Sequence, residues 1–271
     1  MKSQVAGSSP EASAPRQRSR RRRSVLALAI IAFGLTADWQ RIGDKYFDLE
    51  RAKAMFPDLV TIAAKNTLVI TAMAFVGGVV LGLVAALMRL SSIRAYRWLA
   101  AVYIEIFRGL PALLTITLVG FLTPIALSFQ WPRFFNVNGG GVVALSLVAG
   151  AYLAETVRAG IQAVPKGQVE AARSLGMTHA QTLRRVVIPQ AFRIVVPPLT
   201  NEFVLLLKDT SLLSTLGVVV TEKEITKFSR DAAQKGFNGT PLVVGGLMYL
   251  VITIPLTRLV AWMERRQERG R

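Results

Sequence analysis

Residues 66–88 read NTLVITAMAFVGGVVLGLVAALM, twenty-three consecutive positions without a charged side chain. At 1.5 Å per residue the run makes about 35 Å of helix, enough to cross the roughly 30 Å hydrocarbon core of a bilayer. Three further uncharged runs follow, Gly109–Trp131, Phe134–Ala154 and Gly236–Thr257. Backbone inside lipid must satisfy its own N–H and C=O groups, which leaves helices or closed barrels, and these runs are too long for barrel strands. The fold class expected is therefore all-α, a polytopic helical membrane protein.

Composition agrees. Of 271 residues 52% are hydrophobic and 18% charged, with a mean hydropathy of +0.43, a balance foreign to soluble domains. The net charge of +17 gathers at the ends of apolar runs: Arg16, Arg18 and Arg20–Arg23, then Arg89, Arg94 and Arg97, then Arg265, Arg266, Arg269 and Arg271. That is the pattern of cytosolic flanks rather than of a nucleic-acid surface. With no cysteine and a single histidine, the chain offers neither a disulfide framework nor a metal site.

Six predicted spans follow, with both termini cytosolic. Residues 1–24 form a disordered basic N-terminus, and 25–58 an extra first span with an external loop. Val25–Ala37 is short for a span and reads either as one extended to about Trp39 or as the core of a cleaved signal peptide. A five-span core occupies 59–262, with spans at Leu59–Met88, from Trp98 outward with a bend at Pro111, Asn138–Gly160, Gln190–Val220 and Thr240–Trp262. A cytosolic loop at 161–189 separates the third and fourth of these, and a basic tail, 263–271, closes the chain. From Arg158 to Arg193 six bases stand against one acid, Glu170.

Within that loop, residues 170–189 read EAARSLGMTHAQTLRRVVIP. Pro165 suits the first turn of a helix, Gly176 the left-handed residue that ends it, and Thr178 with Gln181 a capping box that starts a second. Pro189 is expected to break that second helix. Ala171 and Ala172 offer a bare surface for a groove on another protein; the plainer reading is an amphipathic interfacial loop.

The stretch resembles the EAA loop of ABC importer permeases, with Glu170, Ala171, Ala172 and Gly176 matching and Val186, Ile188 and Pro189 standing where an I-x-L-P ending is usual. YIEIFRGLPALLTI in the third span and IPQAFRIVVPPLTNEFVLLLKDTSL further on are similar to the polar amino acid branch, and most like the larger glutamate-type permease. The resemblance covers about 59–262. It implies a permease of an ATP-driven amino acid importer in a bacterial plasma membrane, for glutamate or a related polar amino acid. Glu170, Ala171, Ala172, Gly176 and Pro189 would couple it to an ABC ATPase dimer. A second permease subunit, as a heterodimer, and an extracytoplasmic amino acid-binding protein complete the expected partners, besides membrane lipid. No G-x-x-x-x-G-K-[ST] loop occurs, so ATP and Mg are expected on the ATPase, and the chain itself is expected to be no enzyme and to hold no cofactor.

Charges inside spans are functional candidates by default. Glu105 with Arg108, and Glu155 with Arg158, each sit three residues apart, the spacing of a local ion pair or an inner gate. In the fifth span Glu202 and Asp209 share a helical face seven residues apart. With Asn201, Lys208 and Thr210 they form the candidate translocation pathway, and Pro197 and Pro198 are expected to bend or loosen the helix below them. The rival reading is an ion-coupled secondary transporter using these carboxylates, but the chain lacks the inverted repeat that favours one.

Overall fold

The computed structural model describes residues 25, 32, 34–135, 137–217 and 219–268. The basic segment 1–24, most of the first apolar run and the last three residues lie outside the described residues. The chain forms two units, 1–45 and 46–271. In the first, the described part is largely the short helix α1, Trp39–Tyr46, which ends on the first residue of the second unit and is opened by Asp38, whose Oδ1 accepts from Arg41 N at 2.9 Å.

The second unit begins with α2, Leu49–Asp58, capped by Asp48, which accepts the N–H of Arg51. The stretch 40–58, expected as a loop, is thus mostly helical, because Asp38 and Asp48 satisfy free N–H groups at two helix starts. A π-helical turn, Leu59–Ala64, leads into α3, Lys65–Leu90. Then come α4, Arg94–Gly109, α5, Ala112–Ile116, a second π turn, Thr117–Leu122, and α6, Thr123–Leu127. A two-stranded hairpin, β1 Arg133–Phe134 and β2 Val137–Asn138, precedes α7, Gly139–Gln162. The loop that follows holds α8, Lys166–Ser174, and α9, His179–Thr182. A third π turn, Leu183–Val187, joins it to α10, Ile188–Asp209, which ends in a 3₁₀ turn, Thr210–Thr215. The chain finishes with α11, Ile225–Gly236, and α12, Thr240–Glu268. Each of these π turns lies two residues from a proline (Pro57, Pro124, Pro189).

By length and apolarity three described helical runs can cross a membrane, or four when the pair of helical segments Arg94–Gly109 and Ala112–Leu127, bent by 108°, counts as one. Packing adds to that count. A Cβ on Gly77 would meet Ser146, one on Gly78 would meet Ala149, and one on Gly82 would meet Leu153 and Ala154. The partners advance together, so α3 and α7 run parallel. Two parallel crossings need a return between them, and the bent α4–α6 segment supplies it. Helix α10 then runs back along α7, with Val195 against Gly160 near its start and Leu213 against Gly141 just past its end. It traverses the bundle although its four charged residues, Arg193, Glu202, Lys208 and Asp209, keep it below the apolarity of the others. With α12 the second unit makes five traverses; the sixth expected span lies almost wholly outside the described residues.

The core sits where α3, α7 and α10 meet, around Ile70, Ala74, Leu145, Ala149, Leu153 and Leu206. At the end away from the loop, polar contacts clasp the segment after α10 onto the bundle. Asn66 Nδ2 donates to the carbonyls of Thr221 and Lys223, Thr67 Oγ1 accepts the N–H of Ile225, and buried Glu222 pairs with Arg133 of the hairpin.

Two local expectations need correction. Pro111 does not merely bend its span; with Gly109 and Leu110 it ends one helix and starts another. Pro189 does not break the chain, which stays helical from the π turn Leu183–Val187 into α10 with Pro189 in its first turn. Pro197 and Pro198 are accommodated inside α10, which stays helical from Ile188 to Asp209.

Candidate functional site

The loop after α7 folds as its local chemistry dictates. Helix α8 ends in a Schellman turn: Met177 N donates to Ala172 O at 3.2 Å, Gly176 N to Arg173 O at 3.0 Å, and Gly176 takes φ +81°. Thr178 and Gln181 close the expected capping box in both directions. Arg173 Nη1 also holds Met177 O across the turn. Beneath the loop, Val164, Val187 and Ala191 form a small apolar cluster with Ile161, Val169 and Ile194, so the loop rests on the ends of α7 and α10.

Glu170 and Ala171 face outward, as does His179. Ala172 does not: it is 6% exposed, spent on the loop's own packing, so the pair of alanines is not a shared docking surface. The large apolar side chain that protrudes instead is Leu175, 84% exposed beside the glycine turn. Its signal was its place, the last residue before a left-handed glycine, where a leucine has no helix face to bury against.

Along the C-terminal third of α10 a cavity of about 260 Å³ opens between three elements. Leu110 and Ala112 contribute from the break between α4 and α5, and Val148, Ala149 and Tyr152 from α7. Helix α10 contributes Glu202, Leu205, Leu206 and Asp209, one stripe at i, i+3, i+4 and i+7. Among the described residues neither carboxylate receives a hydrogen bond or ion pair. The other pathway candidates lie elsewhere: Asn201 and Lys208 are exposed away from the cavity lining, and Thr210 is buried with its hydroxyl donating to Leu207 O at 2.7 Å. A shared helical face was enough to find the two acids; Tyr152 and the α4–α5 break could not be read without the fold.

The two E-x-x-R pairs diverge. Glu155 and Arg158 form a bidentate ion pair, with Arg158 Nη2 2.6 Å from Glu155 Oε2, and Arg158 also holds Gln162. Glu105 and Arg108 form none; both are exposed, and the Arg108 guanidinium lies 5.5 Å from the centre of the Tyr152 ring. An aromatic face on the neighbouring helix competes successfully for that cation.

Residues 78–269 match the family described as binding-protein-dependent transport system inner membrane component. The chain is 36% identical over 209 residues to the L-cystine transport system permease protein TcyB of Bacillus subtilis (strain 168), covering 75% of this chain and 84% of that protein. It is 35% identical over 214 residues to the glutamate/aspartate import permease protein GltK of Escherichia coli O6:H1, covering 74% and 89%. A crystal structure of an amino acid ABC transporter with histidines superposes with a TM-score of 0.72 at 36% identity, over 81% of this chain and 98% of that one. The chain belongs to the family of binding-protein-dependent transport system inner membrane components, as a membrane-embedded permease component of an amino acid ABC importer.

Proposed function

We propose that this permease moves its substrate through the cavity beside Glu202 and Asp209, and that the loop at 161–189 drives it. The observation that carries the reading is continuity. Loop helix α9, the π turn and α10 follow one another without an intervening coil, so displacing the loop displaces the helix that bears both carboxylates. Glu170, Ala171 and Leu175 form the face offered to a cytosolic ATPase dimer, Gly176 sets its turn, and Pro189 starts the lever. ATP and Mg bind on that ATPase. The loop end carries Arg89, Arg94, Arg97, Arg184, Arg185, Arg265 and Arg266, a cluster that supports a cytosolic position for it at a bacterial plasma membrane, with both termini on that side. A second permease, as a heterodimer, completes the pathway, and an extracytoplasmic binding protein delivers the amino acid to the opposite end.

Glutamate, to which the sequence resemblance points, is one candidate substrate; the two relatives named above carry the names of cystine and of glutamate/aspartate, so names alone do not select it. The test of coupling is Leu175→Asp and Gly176→Val, each expressed with the native partners. Each is expected to lower uptake about tenfold or more while the chain stays folded, since a buried apolar anchor contributes about 2 kcal/mol or more to an interface. Wild-type uptake and ATPase stimulation in both variants would overturn the assignment.

A further inference from the structure

Of the three unbroken helical runs apolar enough to cross a membrane, the one that α12 forms is the least enclosed: 17% of its most apolar stretch is buried, against 67% for α7. Thr253 and Val260, each 6% exposed, mark the side of α12 turned to the bundle. On the opposite side Leu247, Val251, Ile254, Arg258, Trp262 and Arg265 follow at steps of three or four, one continuous face, and all six are exposed. We propose that this face binds an anionic phospholipid of the leaflet at the loop end, with the phosphate on the arginines and the acyl chains along the aliphatic stripe.

The dimensions fit one leaflet. From Leu247 to Arg258 the face runs about 16.5 Å, close to half the roughly 30 Å hydrocarbon core, and Arg258 to Arg265 adds about 10.5 Å, enough to pass through the headgroup layer. Trp262 sits between the two arginines, at the depth where an indole suits the interface, and the Arg266 guanidinium lies 5.4 Å from the centre of its ring. Between Arg258 and Arg266 the one acid is Glu264, about a third of a turn off the face from Arg258. Among the described residues none of Arg258, Arg265 and Arg266 is in an ion pair. Three uncompensated cations at the foot of an aliphatic stripe are the complement of a molecule with a phosphate above two hydrocarbon chains, and an arginine whose stem lies in the apolar layer lifts its head to that phosphate. A zwitterionic headgroup brings its own ammonium to the cluster and forfeits part of the attraction. A second copy of the chain on the same face, related by a twofold axis along the membrane normal, would set the arginines against their own kind.

The experiment is a titration of the delipidated membrane complex, purified through a tag on this chain, with dioleoyl phosphatidylglycerol or dioleoyl phosphatidylcholine, the bound lipid counted by native mass spectrometry. Phosphatidylglycerol is expected to bind about tenfold or more tighter than phosphatidylcholine, and soluble glycerol 3-phosphate, which has no chains to lay on the stripe, is expected not to displace it. Arg258→Gln is expected to weaken phosphatidylglycerol binding about fivefold, and Arg265→Gln combined with Arg266→Gln about twentyfold. Arg94, exposed at the same end but on α4, is the control, and Arg94→Gln is expected to leave binding unchanged. Equal affinity of the wild type for the two lipids, displacement by glycerol 3-phosphate, unchanged binding in the α12 variants, or an equal loss in Arg94→Gln would overturn the proposal. Loss of the second permease from the purified α12 variants would also overturn it, by assigning the face to a subunit interface. The comparison of the two lipids on the wild type needs no variant, so a substitution that fails to fold leaves the test intact.

Discussion

Helix α7 has two sides built to opposite specifications. Toward α3 it is closed by the absence of side chains: a Cβ on Gly77 would lie 2.5 Å from Ser146 Oγ, and one on Gly150 would lie 2.9 Å from Leu81 Cβ. Toward α10 it is closed at its ends, by Val195 against Gly160 and Leu213 against Gly141, but open between them, with Val148, Ala149 and Tyr152 facing about 260 Å³ of space and two carboxylates without a partner among the described residues. Ala149 belongs to both, packed in the core and lining the cavity. A seam closed backbone to backbone has one arrangement, because interiors packed to crystal density do not deform gradually. A seam with room and polar groups lacking partners can adopt a second. On this contrast α3 and α7 are the expected frame of the subunit, and α10 is the element with room to move beside it.

The sharpest way to break that contrast is to fill the closed seam. A side chain at Gly82 meets Leu153 Cβ at 2.8 Å and the backbone of Gly150 and Ala154 at 3.0 Å, and backbone cannot rotate away. Gly82→Leu is expected to destabilise by about 3 kcal/mol and to remove most of the monodisperse protein from a detergent extract. A melting temperature within two or three degrees of wild type, read by size exclusion after heating, would mean that the seam yields and that the frame is not fixed.

The open seam predicts the reverse coupling of stability and function. Glu202 is a polar, ionisable side chain partly withdrawn from water and without a hydrogen-bond or ion-pair partner among the described residues, a condition that costs folding free energy. Glu202→Gln is expected to leave the melting temperature unchanged or to raise it by an amount on the order of 1 kcal/mol, while uptake falls. A variant that melts early instead would show that Glu202 holds the bundle together, and the two sides of α7 would no longer differ in kind.

How much of this was legible in the sequence follows from what each feature depends on. Uncharged runs and a capping box are local, so α3, α7 and α12 and the helix–turn–helix of the loop could be placed from residues alone. The parallel pairing of α3 with α7 could not, since glycine spacing says only that something comes close. Ala172 was misjudged for a related reason: a small residue on a short helix suits docking and self-packing equally, and only the cluster of Val164, Val187 and Ala191 nearby decides. The two E-x-x-R pairs make the limit plain, since identical spacing gives an ion pair where no ring competes and a cation–π contact where Tyr152 does.

The smallest expected effect tests whether the far end belongs to the frame. Glu224 caps α11, accepting the N–H groups of Thr226 and Lys227 and the hydroxyl of Tyr249 on α12, and is 2% exposed. Burial raises its pKa above the ordinary glutamate range, and those hydrogen bonds only partly offset it. The folded chain therefore holds this proton more tightly than the unfolded one, so stability is highest at acid pH and is lost as pH rises through the raised value. Asp231, nearby on α11, acts in the opposite sense: burial alone would raise its pKa, but Lys223 and Lys227 outweigh burial and lower it, so its contribution is lost as pH falls. The two slopes partly cancel in the wild type. Glu224→Gln keeps the cap geometry and removes one of them, so the variant should lose stability toward acid more steeply than wild type, by less than either effect above. Melting curves from pH 4 to 8 that superimpose for the two proteins would mean that the clasp carries no proton-linked energy, and that α11 rests on the frame without helping to fix it.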